Sequence, residues 1–282
     1  MLAIIGGTGI YKIEGLEVIE QHRIKTPFGE PSAAINRGIY KGKEVLFLPR
    51  HGEGHQLLPH EVNYKANIWA LKSLSVTKII GISAVGSLQQ EIAPGDLAIP
   101  SQYFDFVKGN REKTFFGNGL VAHVSTAEPS CKSLATEIAS AAKSLDITLH
   151  SNKTYACVDG PRLGTRAESL FLKNAAGCDL VGMTNVPEAF LAREAQICYC
   201  TIGVVTDFDC WQEDPSQHVS VEQVISRYGH SLEKAKKVLA HVIENETRQE
   251  DCACRTALNN AVLTPTDSLN DTAKALLELL QK

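Results

Sequence analysis

Short apolar runs alternate with stretches of helical periodicity along most of this 282-residue chain, and that alternation constrains its fold more than any other feature. Leu2–Ile5, Lys78–Ser83, Asp96–Pro100, Thr154–Val158, Asp179–Met183 and Ile197–Thr206 have the length and composition of buried strands. Gly38–Tyr40 and Glu44–Pro49 flank a Lys-Gly-Lys turn and read as a hairpin. Helical periods occupy Pro59–Leu74, with apolar residues at 62, 66, 69, 70 and 74, then Ser130–Leu145, then a long stretch from Val221 to Ile243. The spacings Thr165 to Glu168, Asn185 to Glu188 and Ser220 to Gln223 match capping boxes at helix starts. The pattern predicts an α/β fold: one domain over residues 1–245 with a central mixed sheet flanked by helices. The polar link Glu246–Asp251 opens a C-terminal extension, residues 246–282, in which Ser268–Gln281 has the period of a last amphipathic helix. That helix must pack on its own domain or on a neighbouring subunit.

Composition narrows the function classes. A net charge of -4 with no basic run leaves no electrostatic footprint for nucleic acid or an anionic membrane, so a small molecule is the expected ligand. The apolar start Leu2–Ile5 is too short for a signal-peptide core and no later run reaches bilayer length, which makes a cytoplasmic protein the expectation. The eight cysteines form no C-x-x-C pair and have no accompanying histidine cluster, so no metal is expected. Cys198/Cys200 and Cys252/Cys254 are Cys-x-Cys pairs. The second leaves a vicinal disulfide conceivable, although free thiols are the expectation in a reducing compartment.

The residues that could carry chemistry sit at the ends of the strand-like runs, where ligands of open α/β sheets collect. Asp207 and Asp209 follow the longest run, and residues two apart share a face while extended geometry persists, so they form a candidate carboxylate fork. Thr8, Arg50 with His51, Ser83 and Thr184 lie at four other strand ends. Hydroxyls, backbone amides and one guanidinium are what a tetrahedral oxyanion requires. Singly, each has a plainer reading: a helix cap for Thr184, a strand-end hydroxyl for Ser83, a surface charge for Arg50. The Gly6–Gly9 loop does not complete a dinucleotide fingerprint, because Lys12 stands where its last glycine belongs.

Several longer motifs carry a resemblance. Ile4-Ile-Gly-Gly-Thr-Gly-Ile10, Arg50-His-Gly52, Val62-Asn-Tyr-Lys-Ala-Asn-Ile-Trp-Ala-Leu71, Gly160-Pro-Arg162, Arg166-Ala-Glu168, Val186-Pro-Glu188 and Thr206-Asp-Phe-Asp-Cys-Trp211 occur in colinear order. Together they resemble the S-methyl-5'-thioadenosine phosphorylases of the trimeric purine nucleoside phosphorylase superfamily. The resemblance implies a nucleoside-phosphorylase-type domain, a homotrimer, and phosphorolysis with inorganic phosphate as co-substrate and no cofactor. It implies phosphate binding by Thr8, Arg50, His51, Ser83, Ala84 and Thr184, and a ribose contact from Met183. It lines the 5'-alkylthio pocket with Val221, Val224, Ile225 and His123, the last contributed across a subunit interface, and places His55 near the site. It assigns the purine to Asp207 and Asp209. Carboxylate acceptors suit the N6 donor of adenine better than the O6 acceptor of a 6-oxopurine. Donation to purine N7 needs a protonated acid, through burial or a proton from solvent. Leu163-Gly164 departs from the aromatic and serine often found in the family, and that loop is closer to the sister S-methyl-5'-thioinosine phosphorylases. S-methyl-5'-thioinosine or another 6-oxopurine nucleoside is therefore the alternative substrate.

Overall fold

The computed structural model describes residues 1–7, 9–10, 13–214, 221–246 and 251–282, with backbone alone for 221–227 and 230. Nine strands join in one sheet among these residues. β1 (Leu2–Gly6) lies between β4 (Lys43–Pro49) and β5 (Lys78–Ser87), parallel to both. On the far side of β4, β3 (Ile35–Tyr40) and β2 (Leu16–His22) add antiparallel edge strands. The other half closes on itself. β5 pairs in parallel with β9 (Cys198–Asp207), β9 pairs with β6 (Leu97–Asp105), and β6 pairs with β7 (Leu149–Cys157). β7 then reaches β8 (Leu180–Gly182), which returns to β5. Every strand of this five-membered ring has two neighbours, which removes its edges.

Apolar side chains point alternately to two cores, as the two-residue period of a strand requires. Ile4, Ile80, Ile82 and Ile202 face α2 (Lys132–Ser144) and α5 (Val221–Glu244), meeting Ile138, Val238 and Leu239. Ala3, Ile5, Ile79 and Tyr199 face α1 (Tyr64–Ser73) and α4 (Asn185–Glu194), meeting Ile68, Leu71 and Leu191. Each fully buried Leu or Ile contributes about 1.5–3 kcal/mol of transfer free energy. All ten residues of β9 are buried, which explains its unbroken apolar run.

The structure departs from the sequence reading at several ends. β2 was not anticipated: most of its residues are exposed, including Val18 and Ile19, so it shows no amphipathic alternation. β6 continues to Asp105, beyond the Asp96–Pro100 run read from the sequence; register shifts around Pro100 accommodate a residue with no N–H to donate. α1 starts at Tyr64, because the Asn63 side chain accepts from the amide of Ala66 and caps it there. The last helix, α6 (Asp271–Gln281), packs on its own chain: Leu277 and Leu280 join the core that contains Ile68 and Leu71.

All eight cysteines are free thiols. Four of them, Cys131, Cys198, Cys252 and Cys254, nevertheless converge, with sulfur atoms within 4.8 Å of one another. Spacing along the chain carried no trace of this, because the four come from three separate segments.

Candidate functional site

β1, β5 and β9 run parallel, so their C-terminal ends open on the same side of the sheet. A cavity of about 870 Å³ lies there. Arg50, His51, His55, Ser83, Ala84, Met183, Thr184, Asp207 and Asp209 all line it, which gathers most of the residues singled out from sequence into one place. His123 does not line this cavity; it is exposed, and its amide donates to the carbonyl of Ala261. Thr8 and the side chains of Val221, Val224 and Ile225 lie outside the described residues. α5 still contributes Tyr228, Gly229 and Leu232 to the wall.

One end of the cavity is built of hydroxyls around a buried cation. Ser83, at the end of β5, stands 3.1 Å from the Thr184 hydroxyl and donates to Asn185 Oδ1 at 3.0 Å. Thr184 precedes α4 but makes no side-chain cap bond, so the capping reading fails. Asn185 and Glu188 do not form a capping box either. Asn185 Nδ2 donates to Thr201, and Glu188 is the partner of Arg50. Arg50 is 1 % exposed, and a cation so buried requires a counter-charge. Its Nε and Nη2 donate to the two Glu188 oxygens, both at 2.7 Å, while Nη1 donates to the Ile82 carbonyl and Nη2 also to that of Ile5. The bidentate face expected for phosphate is therefore taken by Glu188, and a single Nη1 proton is left over. His51 Nδ1 donates to the Leu57 carbonyl, and burial together with the Arg50 charge lowers its pKa to about 4. It is neutral near pH 7 and adds no charge of its own.

The other end holds the two acids. β9 ends at Asp207, and Asp209 takes a left-handed backbone with φ of 53°, so strand alternation does not set their relative direction. The Asp209 amide instead donates to Asp207 Oδ1 at 2.7 Å, and the Thr206 hydroxyl donates to Asp207 Oδ2 at 2.6 Å. Burial raises the pKa of Asp209. Close by lies the buried Ser169 hydroxyl, and Gly164 offers no side chain: a Cβ there would come no nearer than 4.0 Å to Asp209 Oδ2. The loop carrying Gly164 is held by a genuine capping box at α3 (Arg166–Leu170). Thr165 accepts from the Glu168 amide, and the Glu168 carboxylate accepts from the Thr165 amide and from Arg162.

Sequence reasoning missed three structural residues of the site. Glu188 was assigned to a cap by its spacing from Asn185. Arg111 lies outside every motif and strand end read from the sequence; it is buried and donates to the carbonyls of Met183, Val186 and Asp159. Ser169 gave no signal beyond its position after Arg166-Ala-Glu168.

Hydroxyls and a cation at one end, acids at the other and an apolar wall between them fit a small molecule joining an anion to a nitrogenous base. The sequence profile of the phosphorylase superfamily matches residues 1–244. S-methyl-5'-thioadenosine phosphorylase of Geobacter sulfurreducens is 43% identical over 280 residues, covering 99% of this chain and 97% of the relative. The chain belongs to the phosphorylase superfamily, in its S-methyl-5'-thioadenosine phosphorylase branch. Among solved phosphorylases, a methylthioadenosine phosphorylase from an antarctic soil metagenomic library superposes with a TM-score of 0.91 at 42% identity, covering 99% of this chain and 98% of that one. The methylthioadenosine phosphorylase of Schistosoma mansoni in complex with adenine superposes with a TM-score of 0.82 at 36% identity, covering 86% and 90%. The phosphorylase profile stops just before the C-terminal extension, whereas the Geobacter relative aligns through it.

Proposed function

We propose that this phosphorylase cleaves S-methyl-5'-thioadenosine with inorganic phosphate, giving adenine and 5-methylthioribose 1-phosphate. The observation that carries the reading is the pairing of two buried acids with a hydroxyl-lined cationic end across one cavity. A phosphate oxygen attacks C1' of the ribose as the N-glycosidic bond breaks, and the bonding electrons pass into the purine. Ser83, Ala84, Thr184 and the remaining Arg50 proton hold the anion, together with His51 and, from the family resemblance, Thr8. Glu188 keeps the guanidinium fixed, so no reorganisation is needed as charge develops. At the base end one carboxyl group of the Asp207/Asp209 pair donates to N7 while the other accepts from N6. Burial that raises Asp209 supports a proton held within the pair.

Met183 faces the ribose in this reading, and His55 borders the same end. Leu57, Leu58, Tyr228 and Leu232 supply an apolar surface suited to a methylthio group. Val221, Val224 and Ile225 would extend it, with His123 arriving from a neighbouring subunit of a homotrimer. The reaction needs no cofactor beyond phosphate. No helix among the described residues is long and apolar enough to cross a membrane. Eight free thiols support a reducing, cytoplasmic setting.

The test is a panel of methylthioadenosine, methylthioinosine, adenosine and inosine, each with and without phosphate. Phosphate-dependent release of adenine from methylthioadenosine at the highest kcat/KM is the expected result. A second reading, methylthioinosine as substrate, is favoured by Gly164, which leaves no loop hydroxyl beside the base. Higher kcat/KM for methylthioinosine would establish it in place of the first.

A further inference from the structure

Cys131 caps the N-terminus of α2, Cys198 opens β9, and Cys252 and Cys254 lie in the C-terminal extension. Their four sulfur atoms fall within 4.8 Å of one another, and Cys131 and Cys252 are 3.7 Å apart. A tetrahedral zinc with Zn–S bonds of about 2.3 Å has S···S edges of about 3.8 Å, whereas a disulfide requires about 2.05 Å. We propose that Cys131, Cys198, Cys252 and Cys254 form a structural site for one zinc ion, which ties the C-terminal extension to the body of the protein.

Three of the four thiols are buried and Cys252 is half-buried, which leaves a path for the ion but little solvent around it. The surroundings favour negative sulfur. Arg193 Nη1 donates to Cys254 Sγ at 3.2 Å, and the amide end of α2 faces Cys131. Binding displaces the four thiol protons to solvent and leaves a tetrathiolate zinc centre of charge about -2, which Arg193 partly offsets.

The site has a structural task. Beyond it, the extension supports the loop that carries His123: the His123 amide donates to Ala261, Leu263 donates to Val121, and the Val121 amide donates to Thr264. The Leu258 amide donates to Gln196, beside β9. Zinc at the start of the extension anchors this network to α2 and β9. The inference stands on the cluster alone and is independent of the substrate reading.

Tag-free full-length protein, purified from zinc-containing medium, is assayed by elemental analysis and by thiol titration after denaturation with chelator, without reductant. The expected results are about one zinc per chain and eight titratable thiols. Cobalt replacing the zinc gives the visible bands of a tetrahedral thiolate centre, and Cys252→Ser loses at least tenfold in zinc affinity. Chelation lowers Tm, and zinc restores it where magnesium does not. Wild-type protein that stays below about a tenth of an equivalent after anaerobic reconstitution with zinc overturns the proposal. So does a titration that finds four thiols missing, since that identifies two disulfides. Both decisive readings come from the wild-type chain, so a variant that fails to fold does not affect them.

Discussion

The Asp209 amide donates to the Asp207 carboxylate at 2.7 Å, so the first acid of the pair sets the position of the second. Asp207→Asn keeps an oxygen to accept this bond but removes the charge. It is expected to lower kcat with methylthioadenosine by about 10²–10⁴-fold, the range for a lost acid–base group, while Tm changes little. Base preference should relax toward 6-oxopurines. Steady-state kinetics on the four-nucleoside panel checks both, and an unchanged preference removes Asp207 from base recognition.

Glu188→Gln leaves the Arg50 guanidinium buried without its counter-charge. The expected loss of stability is about 3–5 kcal/mol, measured by urea denaturation. Phosphate should recover part of that loss, since an anion in the cavity then supplies the missing charge. A loss within experimental error would show that Arg50 is compensated elsewhere.

Gly164→Ser places a hydroxyl beside Asp209 where an added Cβ meets nothing closer than 4.0 Å. Stability should stay within about 0.5 kcal/mol of the parent. One new hydrogen bond, worth about 1 kcal/mol, should lower KM for methylthioadenosine by about fivefold and leave methylthioinosine unaffected. A KM change shared by both nucleosides would place the new hydroxyl away from the base.

His51 gives a pH signature of defined sign. Its folded pKa of about 4 lies below the ordinary 6.5, so the unfolded chain binds more protons across that window. The His51 contribution is fully present above about pH 6.5 and is lost as pH falls toward 4, by at most about 3 kcal/mol. Denaturation across pH 4 to 7 should show a shallower slope in His51→Gln than in the parent, and the imidazole resonances of His51 should titrate near 4.

The alternation of strands and helices was legible because buried strands on both faces leave unbroken apolar runs, as in β9. β2 was not legible, since an exposed edge strand has no periodicity to read. Most site residues were found because they end parallel strands. Their partnerships were hidden: Glu188 lies 138 residues from Arg50, and its spacing from Asn185 imitated a cap. The cysteine cluster was hidden for the same reason, since ligand spacing is visible only when ligands share a segment. The relation of Asp209 to Asp207 turned on one left-handed residue, where strand geometry stops being a guide.

The closed ring of β5, β8, β7, β6 and β9 divides what is rigid from what can diverge. Ser83 and Ala84 pair in register with Gly203 and Val204 of β9, so the anion end can be altered only by disturbing that ladder. Residues 160–164, by contrast, lie in a loop between β7 and α3 and belong to no strand. A chain built this way can exchange one purine for another by drift in that loop while its phosphate chemistry is inherited intact.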